Sequence, residues 1–173
     1  MAFGPAVTGQ HRIYFVDTSY LLELYAVPGC FDPHAKEIVR SRFAEAWRRA
    51  DRLFVPLGCL LEFGNHIADL RSPSDREKWA KLLHDRVVEA LDPAAKQRQF
   101  AVVEAPLLTD LSLLVSDWRA KHVAAPRGLV DAATVEKARS FKRQRALGNP
   151  VHIWTRDRRL KGVEPDPEPD PFV

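Results

Sequence analysis

The feature that most constrains this chain is a set of short strand-like runs, each separated from the next by a segment of helical period. Ile13 to Val16 (IYFV), Leu53 to Val55, Phe100 to Val103 and Val151 to Thr155 are too short for helices. The first, IYFV, has no polar alternation, as expected of a strand buried on both faces. Between them lie helical patterns. Ala35 to Ala50 repeats Ile38, Val39, Phe43, Ala46, Trp47 and Ala50 on one side, and Cys59 to Leu70 follows the second strand. Ser-Pro-Ser-Asp at 72–75 caps a helix carrying Trp79, Leu82, Leu83, Val87 and Leu91, which stops before Asp92-Pro93. Leu107 to Ala120 is expected to turn Leu107, Leu108, Leu111, Leu114, Val115 and Trp118 inward. A last long helix runs from about Asp131 to Leu147, ended by Gly148-Asn149-Pro150. Strands alternating with helices imply a three-layer α/β/α sandwich around a mainly parallel sheet of four or five strands.

At 173 residues, with 46% hydrophobic side chains, the chain fits one domain. The expected organisation is a loose leader over residues 1–12, the α/β domain over 13–161, and a Pro/acidic tail over 162–173. The tail, GVEPDPEPDPFV, should be extended and poorly packed, free to fold back on basic residues. No stretch of 18 apolar residues is present, so no membrane span is expected, and the N-terminus does not read as a secretory signal. Two isolated cysteines, Cys30 and Cys59, suit free thiols in a reducing cytoplasm.

Charge is uneven. Nine Lys/Arg face three acids between Val130 and Lys161, whereas the tail carries four acids and no base. A basic C-terminal third suits a polyanion, although solvated helix faces account equally well for charge alone.

In open parallel sheets, functional groups gather beyond the carboxyl ends of the strands. Four acids fall there: Asp17 directly after the first strand (FVDTS), Glu62 on the helix after the second (LLEFGN), Asp131 at a helix start (GLVDAAT) and Asp157 just past the fourth strand (IWTRD). Each has an ordinary explanation singly: a cap, a surface acid, a dipole partner, a salt-bridged turn. Together they would repel one another and raise each other's pKa values unless a hard cation such as Mg²⁺ or Mn²⁺ joined them. Other chemistries lack their marks. A haloacid-dehalogenase-type phosphatase needs a second Asp where Ser19 stands, a DxSxS metal site fails at Leu21, and there is no P-loop, GxSxG or HExxH. A receiver domain expects a phosphoacceptor Asp after the third strand, where Glu104 stands. The six histidines show no ligand spacing, and His66, four residues after Glu62, reads as structural or surface-placed.

The ordered segments IYFVDTSYLL, VPLGCLLEFGNHI, GLVDAATVEKA and VHIWTRDRRL resemble the PIN-domain ribonucleases, including toxins of toxin–antitoxin pairs, over about Ile13 to Lys161. The resemblance implies an endoribonuclease using Mg²⁺ or Mn²⁺, with Asp17 and Asp131 as direct ligands and Glu62 and Asp157 completing the shell. It also implies supporting roles for Thr18, Ser19, Asn65 and Thr155, and RNA contacts from Arg156, Arg158 and Arg159. An antitoxin protein and a second copy of the chain are the implied protein partners. The alternative is an inactive PIN-like module that binds RNA or protein. Two departures stand out: extra length around residues 26–36 and 72–99, and no clear strand after the fourth motif.

Overall fold

Four parallel strands form the centre of the computed structural model, which describes residues 11–95, 98–104, 108–121 and 128–173. They are β1 (Ile13–Val16), β2 (Arg52–Pro56), β3 (Ala101–Val103) and β4 (Val151–Trp154), in the order β3-β2-β1-β4. All three pairings are parallel, with Tyr14 opposite Leu53 and His152, and Phe54 opposite Ala101. The described helices are α1 (Thr18–Tyr25), α2 (Pro33–Arg48), α3 (Leu57–Ala68), α4 (Pro73–Leu91), α5 (Leu108–Lys121), α6 (Leu129–Gln144) and the single turn α7 (Arg158–Lys161). The expected leader falls almost wholly outside the described residues.

β1, β4 and β2 after Arg52 are buried on both faces, whereas β3 is half-buried along its length. Tyr14 and Val16 point into a core shared with α1 to α4, while Ile13 and Phe15 point into a second core shared with Val135, Ala138 and Phe141 of α6. β2 divides the same way, Leu53 and Val55 to one side and Phe54 to the other. This is the three-layer α/β/α sandwich.

Several boundaries shift for local reasons. Asp32 accepts from the Ala35 backbone N–H at 2.8 Å and Pro33 occupies the first turn, so α2 starts before Ala35. Ser72 caps α4 as expected, accepting from Asp75 N–H. α6 begins at Leu129, which puts Asp131 inside its first turn, and it ends at Gln144 before a reversal through Leu147 (φ 48°) and Gly148 (φ 84°). Two inward expectations fail. On α5, which packs against α6, Leu111 and Val115 are exposed; Leu107 and the side chain of Leu108 fall outside the described residues. On α2, Trp47 is 47% exposed near the helix end.

The tail folds back on basic residues, as expected, with Arg42, Lys142 and Lys161 pairing its acids, but it is not poorly packed. It contains neither helix nor strand, yet it is well packed. β4 is an edge strand whose outward N–H groups need partners. The tail supplies carboxylates: Val151 N–H donates to Asp166 Oδ2 at 2.6 Å and Ile153 N–H to Glu164 Oε2 at 2.9 Å. Asp166 N–H returns a bond to the Val151 carbonyl. Glu168 accepts from Arg42 at 2.5 Å, Lys161 at 3.1 Å and the Trp154 indole at 3.1 Å. Burial alone would raise the Glu168 carboxyl, but Arg42 and Lys161 outweigh it and hold it below the ordinary value. Side chains of the tail thus do the work of a fifth strand.

Candidate acidic site

Asp17, Glu62, Asp131 and Asp157 line one open cleft of about 380 Å³ with Thr18, Ser19 and Asn65. It lies where β1 and β4 end, between the starts of α1, α6 and α7 and the middle and end of α3. Asp17 is buried and held from three directions: Ser19 Oγ donates at 2.7 Å, Thr155 Oγ1 at 3.0 Å, and the Ser19 backbone N–H at 3.3 Å, which also caps α1. Capping and cleft lining are therefore the same act of one side chain. Thr18, one residue on, donates to Glu62 Oε2 at 2.7 Å and so fixes the acid brought by α3. Asp131 Oδ2 accepts from Gly128 N–H at 2.9 Å, tying it to the start of α6. Asp157 caps α7 through Arg159 N–H at 2.7 Å.

The supporting hydroxyls join two loops. Thr155 donates to Asp17 and accepts from Asp157 N–H at 3.0 Å; Ser19 donates to Asp17 and accepts from Arg156 N–H at 2.9 Å. The end of β4 is thereby locked to the end of β1. Asn65 lines the cleft and is exposed. Arg158 and Arg159 are exposed beside Asp157, but Arg156 is committed elsewhere. Its guanidinium pairs with Glu23, whose side chain is 1% exposed, and lies over the Phe172 ring.

Electrostatics link all four acids. Burial pushes the Asp131 carboxyl up to about 6, aided by Asp17 and opposed by the Gly128 N–H; Glu62 and Asp157 raise it further. Among the described residues, no Lys or Arg forms an ion pair with any of the four. The donor set is all oxygen, negative and partly desolvated, which fits a hard divalent cation.

Another cluster meets a closer spacing. His152, Glu164 and Glu168 offer ligand atoms within 4.8 Å of one another, and among the described residues no other such group of three is found. These three lie close enough to hold a metal ion. However, Lys161 Nζ already sits 2.9 Å from Glu164 and 3.1 Å from Glu168, and His152 Nδ1 bonds the Asp166 carbonyl at 2.7 Å. An ammonium thus stands where a metal would, and that cluster reads as an ion-pair network. The acidic cleft is wider but carries no such internal cation among the described residues.

The cleft also contains Asp69 and Leu22, which the sequence reading did not name, and His66, which it read as structural or surface-placed. Glu62, Asn65, His66 and Asp69 are spaced i, i+3, i+4, i+7, which places them along one face of α3 and its cap, so the signal was in the period. His66 is half-buried, its Nδ1 3.8 Å from the Cys30 thiol. Both cysteines are free. The chain matches no protein-family model and no curated protein.

Proposed function

We propose that the chain is a metal-dependent endoribonuclease of PIN-domain type, with Asp17, Glu62, Asp131 and Asp157 holding Mg²⁺ or Mn²⁺. The observation that carries this reading is four mutually repelling carboxylates in one cleft, with no balancing cation among the described residues. Such a cluster is costly unless it binds a cation. Bound there, the metal would supply an activated water and charge stabilisation for phosphodiester hydrolysis.

The chain's own residues supply positioning. Ser19 and Thr155 aim one Asp17 oxygen and leave the other toward the cleft and Cys59. Thr18 orients Glu62, and the Gly128 N–H orients Asp131. Arg158 and Arg159, exposed beside Asp157, suit RNA phosphates. Arg156 serves Glu23 first, so its part is to hold the loop that carries Asp157. Leu111, Leu113 and Val115, exposed on α5, offer a surface for an antitoxin protein or a second copy. No helix among the described residues is long and apolar enough to cross a membrane.

Asp17→Asn tests the reading. It should keep the fold, since the amide oxygen can still accept from Ser19 and Thr155, while abolishing Mn²⁺-stimulated cleavage of single-stranded RNA. Full cleavage by a clean preparation of that variant would refute it. If wild type neither cleaves RNA nor gains thermal stability with millimolar Mn²⁺, the inactive binding module is favoured instead.

A further inference from the structure

A second cavity, of about 370 Å³, opens at the opposite end of the sheet from the acidic cleft. It lies at the first residues of β2 and β3, whereas the four acids gather beyond strand ends. Its floor is apolar: Leu53, Phe54 and Phe100 are 6%, 8% and 4% exposed. One wall is Trp47, an indole left 47% exposed at the end of α2. Two arginines from distant parts of the chain, Arg52 and Arg98, complete the rim.

The local charges are mixed. Of the nearby acids, Asp51 lines the cavity with its side chain 2% exposed, and it shares the one cation of Arg49 with Glu45, at 2.8 Å and 2.5 Å. Arg52 and Arg98 form no ion pair among the described residues. The Arg52 guanidinium rests 5.5 Å from the Phe54 ring centre, and Arg98 spends one N–H on the Pro93 carbonyl at 3.4 Å. Each retains donors for an anion. A half-exposed indole beside two guanidinium groups that form no ion pair among the described residues, over buried apolar side chains, is the chemistry that takes a stacked base and its phosphate.

We propose that this pocket binds a nucleotide unit, the base stacking on Trp47 and the phosphate held by Arg52 and Arg98. Its source is either a free mononucleotide or one residue of a single strand. The site is separate from the acidic cleft and does not depend on the ribonuclease reading.

Binding is read on the full chain in EDTA, so that metal-dependent turnover plays no part. Adenosine monophosphate and an octaadenylate are titrated while tryptophan fluorescence is followed. Trp79 and Trp154 are buried and Trp118 is partly so, which makes Trp47 the indole most open to quenching. Quenching by both probes identifies a nucleotide pocket, and quenching by the octamer alone identifies a strand site. Quenching by neither at millimolar concentration overturns the proposal. Trp47→Phe should remove the signal, and Trp47→Ala should weaken anisotropy-detected binding of a labelled octamer about tenfold. Arg52→Gln with Arg98→Gln should also weaken it, lowering the slope of log affinity against log salt by about 0.7, the value for one phosphate contact on a single strand. Unchanged affinity in variants with wild-type thermal unfolding is evidence against the site.

Discussion

Asp131→Asn should make the metal-free protein more stable. The Asp131 carboxyl moves from 3.8 in a model peptide to about 6 in the fold, so its ionised form opposes folding at neutral pH. Two units correspond to about 3 kcal/mol, and solvent screening of this half-open site reduces that to about 1–2 kcal/mol. Asparagine removes the charge and keeps an oxygen for the Gly128 N–H. With a urea slope of about 2 kcal/mol/M, the midpoint in EDTA at pH 7.5 should rise by about 0.5–1 M. The pH dependence has a definite sign. Because the folded value is raised, the native state binds the proton more tightly, and wild-type stability falls as pH rises from about 4 to 6. Below about pH 4 both states are protonated, and the advantage of the variant should fade. Glu168 and Asp166, whose values are lowered, act in a different window: their contribution is lost only as pH falls below the ordinary carboxylate range. Millimolar Mn²⁺ should reverse the order, stabilising wild type and leaving Asp131→Asn little changed. A variant less stable than wild type in EDTA at pH 7.5, or one that keeps the full Mn²⁺ gain, refutes the reasoning.

Other perturbations probe the frame around the cleft. Glu168→Gln removes the carboxylate that Lys161 and Arg42 share, leaving Lys161 with Glu164 and Arg42 with no acid partner among the described residues, and should cost about 3 kcal/mol in urea unfolding; a loss below about 0.5 kcal/mol would show that the Glu168 ion pairs do not hold the tail in place. Gly58 lies on α3 where an added Cβ would sit 3.1 Å from Val130 Cγ1, next to Asp131. Gly58→Val should therefore press α6 away and lower Mn²⁺ affinity, at a stability cost of about 1–3 kcal/mol; unaltered affinity by calorimetry would mean that α6 does not set the site. Arg156→Ala strands Glu23, so it should lower the melting temperature as well as activity, whereas Arg158→Ala should weaken RNA binding with little thermal effect. Equal melting temperatures for both variants would contradict the assignment of Arg156.

The centre of the sheet was legible because β1 is buried on both faces, and double burial leaves a mark in the sequence: no polar residue interrupts IYFV. The four acids were legible for a related reason, since a parallel sheet sends every strand end in one direction, so residues just past each strand converge. What the sequence concealed depends on contacts between distant segments. Arg156 looked like a free cation because nothing nearby in the chain shows that Glu23, buried in α1, is its partner. Trp47 sits at a core-facing position of the α2 period, yet the helix ends at Arg48, before anything can cover the indole. The tail looked poorly packed because it alternates Pro with acid; its order comes from carboxylates that find edge N–H groups as well as cations, and from Val163 and Phe172 packed on the two cores, none of which has a periodic signature.

That tail bears on the site through β4. The strand has β1 on one side and, on the other, Glu164 and Asp166 bound to its N–H groups. Immediately beyond its end come Thr155, which donates to Asp17, and Asp157, which lines the cleft. Any slippage of β4 by one residue would turn Thr155 to the opposite face and release Asp17 from one of its three donors. The carboxylates of the tail lock the outer edge of β4, and Arg156–Glu23 pins the loop that follows. Stability at the edge of the sheet and geometry in the acidic cleft are thus one mechanical problem. A tail substitution that loosens Val151 or Ile153 should reach the cleft as weaker Mn²⁺ binding, although no tail residue lines it.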